Sequence, residues 1–107
     1  MTRDDVQDMD ALGIALTGMQ SAGVRVAVSA HNVANMMTED FRPQRAVQTS
    51  LPGGGAEARV QQTDRPAPVS LAREVVGQMQ ASVQYDASAR VFAVGAEMKG
   101  SLIDLLG

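Results

Sequence analysis

The sequence predicts a mainly α-helical fold, an antiparallel hairpin of two long, coiled-coil-like helices with a small β-hairpin or extended loop between them. Apolar residues follow a helical period over about 9 to 37 and again over about 70 to 106. A glycine-rich turn lies in the segment from about 42 to 66 that separates the two periods. At 107 residues the chain is predicted to form one domain, spanning 1 to 107.

The first predicted helix carries a heptad repeat. Acidic residues precede the repeat, and negative charge suits the positive end of a helix dipole. Spacings of alternately three and four residues are typical of a helix that lies along another helix. The residues with this spacing are Met9, Leu12, Leu16, Met19, Gly23, Val26, Ala30, Val33 and Met37.

The second predicted helix follows Ser70, a residue type that caps helices by bonding to backbone N–H groups of the first turn. Its apolar residues spread over more than one face, especially after Val91. One partner helix covers a single face, so we expect other subunits to cover the rest. Glycines inside both helices, Gly18 and Gly95 among them, lower helix propensity but permit close backbone approach. We interpret them as sites of tight packing between subunits rather than as tolerated accidents.

The middle segment has a different composition. Residues 44 to 51 and 56 to 63 are rich in Val, Gln, Thr and Arg, and Pro52-Gly53-Gly54-Gly55 separates them. This pattern predicts a short β-hairpin or an irregular extended loop. Two prolines in residues 65 to 68 predict a stiff linker into the second helix.

Composition and motifs argue against catalysis and against several kinds of ligand. A net charge of −3 is the wrong sign for a nucleic-acid partner. There is no cysteine, and His31 is the single histidine, so no Cys- or His-based metal cluster can form. Ser29 and His31 lie two residues apart on one helix and cannot make a triad, and no phosphate-binding loop is present. We expect no enzyme activity, cofactor, metal or small-molecule substrate.

Targeting signals are also weak. We expect no transmembrane helix, because Arg25 and several polar residues interrupt the longest uncharged stretches. Four aspartates against a single Arg3 in the first ten residues do not suit the n-region of a cleavable signal peptide.

The end of the first helix and the turn after it, residues 29 to 42, carry the first family signature. Amide side chains there can bond free carbonyls at a helix C-terminus, and the phenylalanine can anchor the departing chain. The run resembles that of bacterial flagellar rod, hook and hook-associated proteins, where Ala-Asn-Asn-x-Ala-Asn precedes a Thr-x-Gly-Phe-Lys turn. The matching residues are Asn32, Ala34, Asn35, Thr38 and Phe41, with Arg42 as the basic residue.

The second helix resembles the C-terminal helix of the same family, which reads Val-x-Leu-x-x-Glu and then Ala-x-x-x-Tyr-x-Ala-Asn-Ala. The matching residues are Glu74, Met79, Ala81, Tyr85, Ala87 and Ala89, followed by Glu97-Met98 and a Leu-rich end. The sequence departs from the family at Asp40, where Gly is usual, and at His31 and Ser88, where Asn is usual. Its middle segment is also shorter.

The resemblance implies a structural subunit of the flagellar basal-body rod, most like a short proximal-rod protein. Such a subunit polymerises with copies of itself and with other rod and hook–basal-body proteins into a helical tube that transmits torque. The resemblance also implies passage through the flagellar type III export apparatus to the periplasmic rod without a cleavable signal peptide. The alternative is a helical adaptor or scaffold of a type III export apparatus that forms a small closed oligomer, which heptads alone would permit.

Two sets of residues are expected to carry this function. Large apolar side chains on both helices are predicted to pack helices and subunits together: Leu16, Met19, Val26, Val33, Val91, Phe92, Val94, Met98, Ile103 and Leu106. The turn and its neighbours are predicted to be positioned by Asn32, Asn35, Thr38, Phe41 and Tyr85.

Overall fold

In a computed structural model the chain forms two long antiparallel helices and a two-stranded antiparallel sheet. The backbone is described for residues 3 to 106 and the side chains for residues 10 to 100 and 104. The elements are α1 (Arg3–Ala34), β1 (Gln44–Ser50), β2 (Ala56–Gln62) and α2 (Leu71–Leu106). They form an elongated molecule of 61 × 23 × 16 Å. The predicted mainly helical hairpin with a small sheet between its helices is confirmed at this level, and coiled-coil supercoiling stays a prediction.

Helix α1 begins and ends earlier than predicted. It starts at Arg3, so the acidic residues expected to precede it belong to its first turns, where negative charge is favourable. It ends at Ala34 because Asn35 takes over the bonding of the last turn. The Asn35 N–H donates to the carbonyls of His31 and Asn32, both at 3.2 Å, and its side-chain amide donates to His31 O at 2.9 Å. Met37, predicted to close the heptad, lies beyond the helix and is 89% exposed.

The turn after α1 adopts the left-handed conformation that glycine would provide. Asp40 has φ of 56°, the one positive φ at a non-glycine residue within the described part of the chain. Phe41 then brings the chain back over the helix end. Its ring centroid lies 5.5 Å from that of His31, and its carbonyl accepts a hydrogen bond from Ala67 N–H at 3.2 Å. The replacement of the family's glycine by Asp40 therefore leaves a left-handed residue at that position.

The middle segment is a regular β-hairpin, so the first of the two predicted alternatives is correct. The strands pair antiparallel, with Gln44 opposite Gln62 and Ser50 opposite Ala56. Gly53, Gly54 and Gly55 all have positive φ, which permits the tight reversal between the strands. The Leu51 N–H donates to Gly55 O at 3.0 Å and closes the loop.

The hairpin lies back along α1 rather than projecting away from it. Its tip reaches the side chains of Ile14 and Thr17, which lie close to Gly54 and Gly55. The Thr17 hydroxyl accepts a hydrogen bond from Ala56 N–H at 3.2 Å. Helix α1 is therefore covered on one side by the hairpin and on another by α2.

The predicted cap of the second helix is confirmed. The Ser70 hydroxyl accepts a hydrogen bond from Arg73 N–H at 3.3 Å, and Ser70 O accepts one from Glu74 N–H at 3.0 Å. Helix α2 therefore starts at Leu71.

Asp40→Gly is expected to raise the free energy of unfolding by about 0.5 kcal/mol. A left-handed non-glycine residue costs about 1 kcal/mol, and the extra chain entropy of glycine offsets part of that gain. Urea denaturation followed by circular dichroism would measure the difference. Glu39→Gly is the control, because Glu39 has no positive φ and glycine there should only destabilise. Equal effects at both positions would contradict the assignment of strain to Asp40.

Candidate functional site

The two helices meet through small side chains. Ala22 of α1 and Ala81 of α2 are 1% and 0% exposed, and Ala15 is also buried. Ala15, Ala22 and Ser29 recur at seven-residue intervals, so they lie on one face of α1. This row of small residues defines the seam between α1 and α2, and it lets the two backbones approach closely.

Two glycines are required by this close approach. A Cβ added to Gly18 would lie 3.2 Å from Cβ of Ser88 and closer still to its hydroxyl oxygen. A Cβ added to Gly95 would lie 2.9 Å from a methyl group of Leu12. Gly18 and Gly95 were expected to pack against other subunits, but they contact the partner helix of the same chain. Gly23 and Gly77 differ, since an added Cβ would meet no described atom within 4 Å.

A cluster of polar side chains joins the seam to the hairpin. The Arg25 guanidinium donates to the side-chain oxygens of Gln84 at 2.8 Å and Gln80 at 3.2 Å. The Gln84 amide in turn exchanges hydrogen bonds with that of Gln48 on β1, at 3.1 and 3.2 Å. Ser21 donates to the Gln48 side-chain oxygen at 3.0 Å. One arginine and two glutamine side chains thus tie α1, β1 and α2 together, a role that the sequence did not suggest.

Asn32 forms a second junction of the same three elements. Its side chain pairs with the backbone of Gln44 like a neighbouring strand, donating to Gln44 O and accepting from Gln44 N–H, each at 2.8 Å. The same amide donates to a Glu74 carboxylate oxygen at 3.2 Å. Ser29 donates to Glu74 O at 3.1 Å and accepts from the Gln78 amide at 2.9 Å. Asn32 is 2% exposed, so its bonds are shielded from water.

The predicted turn residues have different environments. Asn35 accepts a hydrogen bond from the Thr38 hydroxyl at 3.2 Å, and these two residues bond locally at the helix end. Phe41 is half-buried against His31. Tyr85 lies far from this turn, about half exposed on α2. The structure therefore brings Asn32, Asn35, Thr38 and Phe41 to one end of the molecule and leaves Tyr85 apart.

The predicted heptad of α1 does not form the seam within the chain. Leu16 and Val26 are exposed, and Met19 and Val33 are only partly buried. The row that does form the seam lies one residue earlier in each heptad, where small side chains allow the closer approach. The predicted apolar stripe therefore flanks the seam and remains largely uncovered.

Helix α2 also leaves its large apolar side chains uncovered. Val91, Val94 and Met98 are each more than half exposed, whereas Phe92 is partly covered. Ile103 and Leu106, predicted to pack with Phe92, lie outside the residues whose side chains are described. On a helix of this length, apolar side chains on faces away from the only intrachain partner have nothing in the described chain to cover them.

Charged groups form no concentrated site in the described part of the chain. There, no three His, Asp or Glu side chains come close enough to hold a metal ion. The ion pair between Arg59 and Glu57, at 3.5 Å, is solvent-exposed and contributes little to stability. Contacts of small and amide side chains, rather than charge pairs, hold the described helices and hairpin together.

Helix α1 is more apolar than the sequence reading allowed. Between Asp10 and Ala34, 25 residues, it is long and apolar enough to cross a membrane by length and composition. The expectation that Arg25 breaks such a stretch is wrong, because one charge among many Ala, Val and Gly residues leaves the average high. Core helices and signal sequences pass the same test, so this finding alone assigns no function.

Gly18→Ala is expected to lower the free energy of unfolding by about 1–3 kcal/mol, because the added methyl group overpacks the seam against Ser88. Thermal unfolding of the purified chain would measure it. The matched control is Gly77→Ala, where the methyl group meets open space and helix propensity should add up to about 1 kcal/mol. Stabilisation by both substitutions would contradict the close approach at Gly18.

Asn32→Asp is expected to cost about 2–3 kcal/mol of folding free energy. It removes the amide donor and places a carboxylate against Gln44 O and the Glu74 carboxylate in a buried site. Asn35→Asp makes the same chemical change where the amide serves one local bond, so a loss below about 1 kcal/mol is expected. Denaturant titrations would compare them, and equal losses would argue against Asn32 as a junction.

Comparison of the chain with known protein families gives no match, and no curated protein is significantly similar to it. The resemblance to flagellar axial proteins therefore rests on the matching residues alone.

Proposed function

We propose that the chain is a structural subunit of the bacterial flagellar basal-body rod. In this function it polymerises with copies of itself and with related axial proteins into a helical tube that transmits torque. It performs no catalysis, and its helix pair is the part that contacts neighbouring subunits. The subunit reaches the periplasmic rod through the type III export apparatus.

The observation that carries this proposal is the inversion of side-chain size between the inside and the outside of the helix pair. The buried seam uses alanine, glycine and serine, whereas Val83, Val94 and Met98 on α2 are 69%, 56% and 51% exposed. Burial of a valine or methionine side chain contributes about 1.5–3 kcal/mol. A chain that keeps such side chains outside gains that stabilisation only when other chains cover them.

The turn after α1 gives a second line of support. The residues of the family signature form a compact cap, in which Asn35 bonds the helix end and Asn32 bonds the start of β1. Asp40 takes a left-handed conformation at the position where the family has glycine. The resemblance is thus supported by local geometry as well as by residue identity.

The alternative proposal, a helical adaptor of an export apparatus, uses the same exposed surfaces in a small closed oligomer. The uncovered apolar stripe beside the seam suits either kind of assembly. The two differ in location, since an adaptor stays out of the assembled rod, and in symmetry, since a closed oligomer has a fixed copy number.

Deletion of the gene is expected to abolish swimming and to leave isolated basal bodies without a complete rod. Complementation with Val94→Asp should restore synthesis and export but not incorporation, because a carboxylate buried in a subunit contact is costly. Immunoblots of secreted protein and electron microscopy of basal bodies would distinguish these steps. The monomer should fold normally, since Val94 is exposed.

Ala93→Asp is the matched control. It adds the same charge one residue earlier, about 100° around the helix, where only a methyl group is replaced. This variant is expected to enter the rod more readily than Val94→Asp. Deletion cells that swim with complete basal bodies would contradict the rod proposal, and a discrete oligomer absent from the rod would favour the adaptor.

A further inference from the structure

The helix pair has two uncharged surfaces of opposite shape. The first, the groove, is a cavity of about 360 Å³ between α1 and α2. Its floor consists of the small residues Ala22, Gly23 and Ala81, and Tyr85 lies at its edge. An added Cβ on Gly23 would meet no described atom within 4 Å, so the groove is open in the isolated chain.

The second surface, the ridge, consists of Val76, Met79 and Val83 on α2. These side chains are 52%, 64% and 69% exposed. At 100° per residue they fall within a sector about 60° wide that points away from Ala81, the residue buried against α1. The ridge is therefore a row of large apolar side chains on the outer side of the helix pair.

The two surfaces match in length and in chemistry. Val76 to Val83 spans seven residues of helix, about 10.5 Å, and so do the lining residues Gln78 to Tyr85 along the groove. No lining residue of the groove and no ridge residue is ionisable near neutral pH, so their contact buries no charge. Large side chains on small ones is the arrangement in which helices interdigitate.

We propose that a second copy of this chain places its ridge in the groove, so that copies join in one direction. The inference rests on the proposed function, because it names the surfaces through which subunits would polymerise. The groove-lining residues of α2, such as Gln78 and Ser82, lie roughly 60–100° from Ala81, whereas the ridge is centred about 190° from it. Because the two surfaces face different directions, their contact is heterologous and leaves one of each free at the ends.

Other occupants fit less well. A bilayer needs a convex or flat apolar surface, but the groove is concave and has Gln78 and Ser82 in its lining. An isologous dimer would press ridge on ridge or groove on groove, large on large or small on small. The ridge is also much smaller than the roughly 800 Å² per partner that a stable dimer buries. Copies would therefore associate firmly only when each has neighbours on both surfaces.

Cysteine trapping tests the contact, because the chain has no cysteine of its own. Purified full-length Gly23→Cys and Met79→Cys chains are mixed under mild oxidation and examined by non-reducing electrophoresis. A disulfide-linked mixed dimer should form at least tenfold more than the Gly23–Gly23 or Met79–Met79 product. Ala27→Cys replaces Gly23→Cys as the control, since Ala27 is exposed on α1 and does not line the groove.

Sedimentation velocity provides a second measurement. The average sedimentation coefficient of the wild-type chain should rise with concentration, and Gly23→Leu, which fills the groove, should remain monomeric with unchanged helicity. Ala27→Leu should behave as wild type. Liposome flotation of the same three proteins tests the membrane as occupant, and none is expected to float.

Several outcomes would overturn the inference. They are like-with-like crosslinks, equal crosslinking of Ala27→Cys, no mixed dimer, unchanged association of Gly23→Leu, or flotation with liposomes. These outcomes are separable from the rod proposal. If trapping fails but deletion removes the rod, the function stands and the groove–ridge contact falls. If trapping succeeds but deletion strains swim, the contact stands without the rod.

Discussion

The close approach of α1 and α2 is the constraint on which the rest of the structure depends. With Ala22 and Ala81 at the contact, the two backbones come near enough that Gly18 and Gly95 have no room for a Cβ. Burial of small side chains contributes little, since each buried methylene adds only about 0.8 kcal/mol. The helix pair therefore needs other interactions, and it keeps its larger apolar side chains free for contacts outside the chain.

Hydrogen bonds between distant segments supply those interactions. Asn32 pairs with the backbone of β1 and with Glu74, while Arg25 and Gln84 join α1, α2 and the hairpin. In the described part of the chain, no buried side-chain nitrogen or oxygen lacks a partner. Because an unsatisfied buried polar group costs about 1–3 kcal/mol, these bonds also fix which residues can face each other. They determine the position of the hairpin as well as that of the helices.

Local signals in the sequence predicted most of the secondary structure. The Ser70 cap and the Gly53–Gly55 turn depend on a few neighbouring residues, so both could be read directly. The helix contact could not, because apolar spacing marks a stripe without naming its partner. The row that forms the seam contains Ala15, Ala22 and Ser29, whose weak hydropathy is overshadowed by the larger residues beside it. The junction at Asn32 depends on Gln44 and Glu74, a long-range arrangement that one sequence does not contain.

The chemistry of the polar junctions makes the joint between helices and hairpin indifferent to proton concentration. Its bonds come from glutamine and asparagine amides, serine hydroxyls, backbone groups and a guanidinium, which keep their charge states across ordinary conditions. In these junctions Glu74 is the carboxylate, and its backbone carbonyl accepts a bond as well. A protein built this way holds the same shape in compartments of different acidity, so a change of surroundings need not rearrange its outer faces.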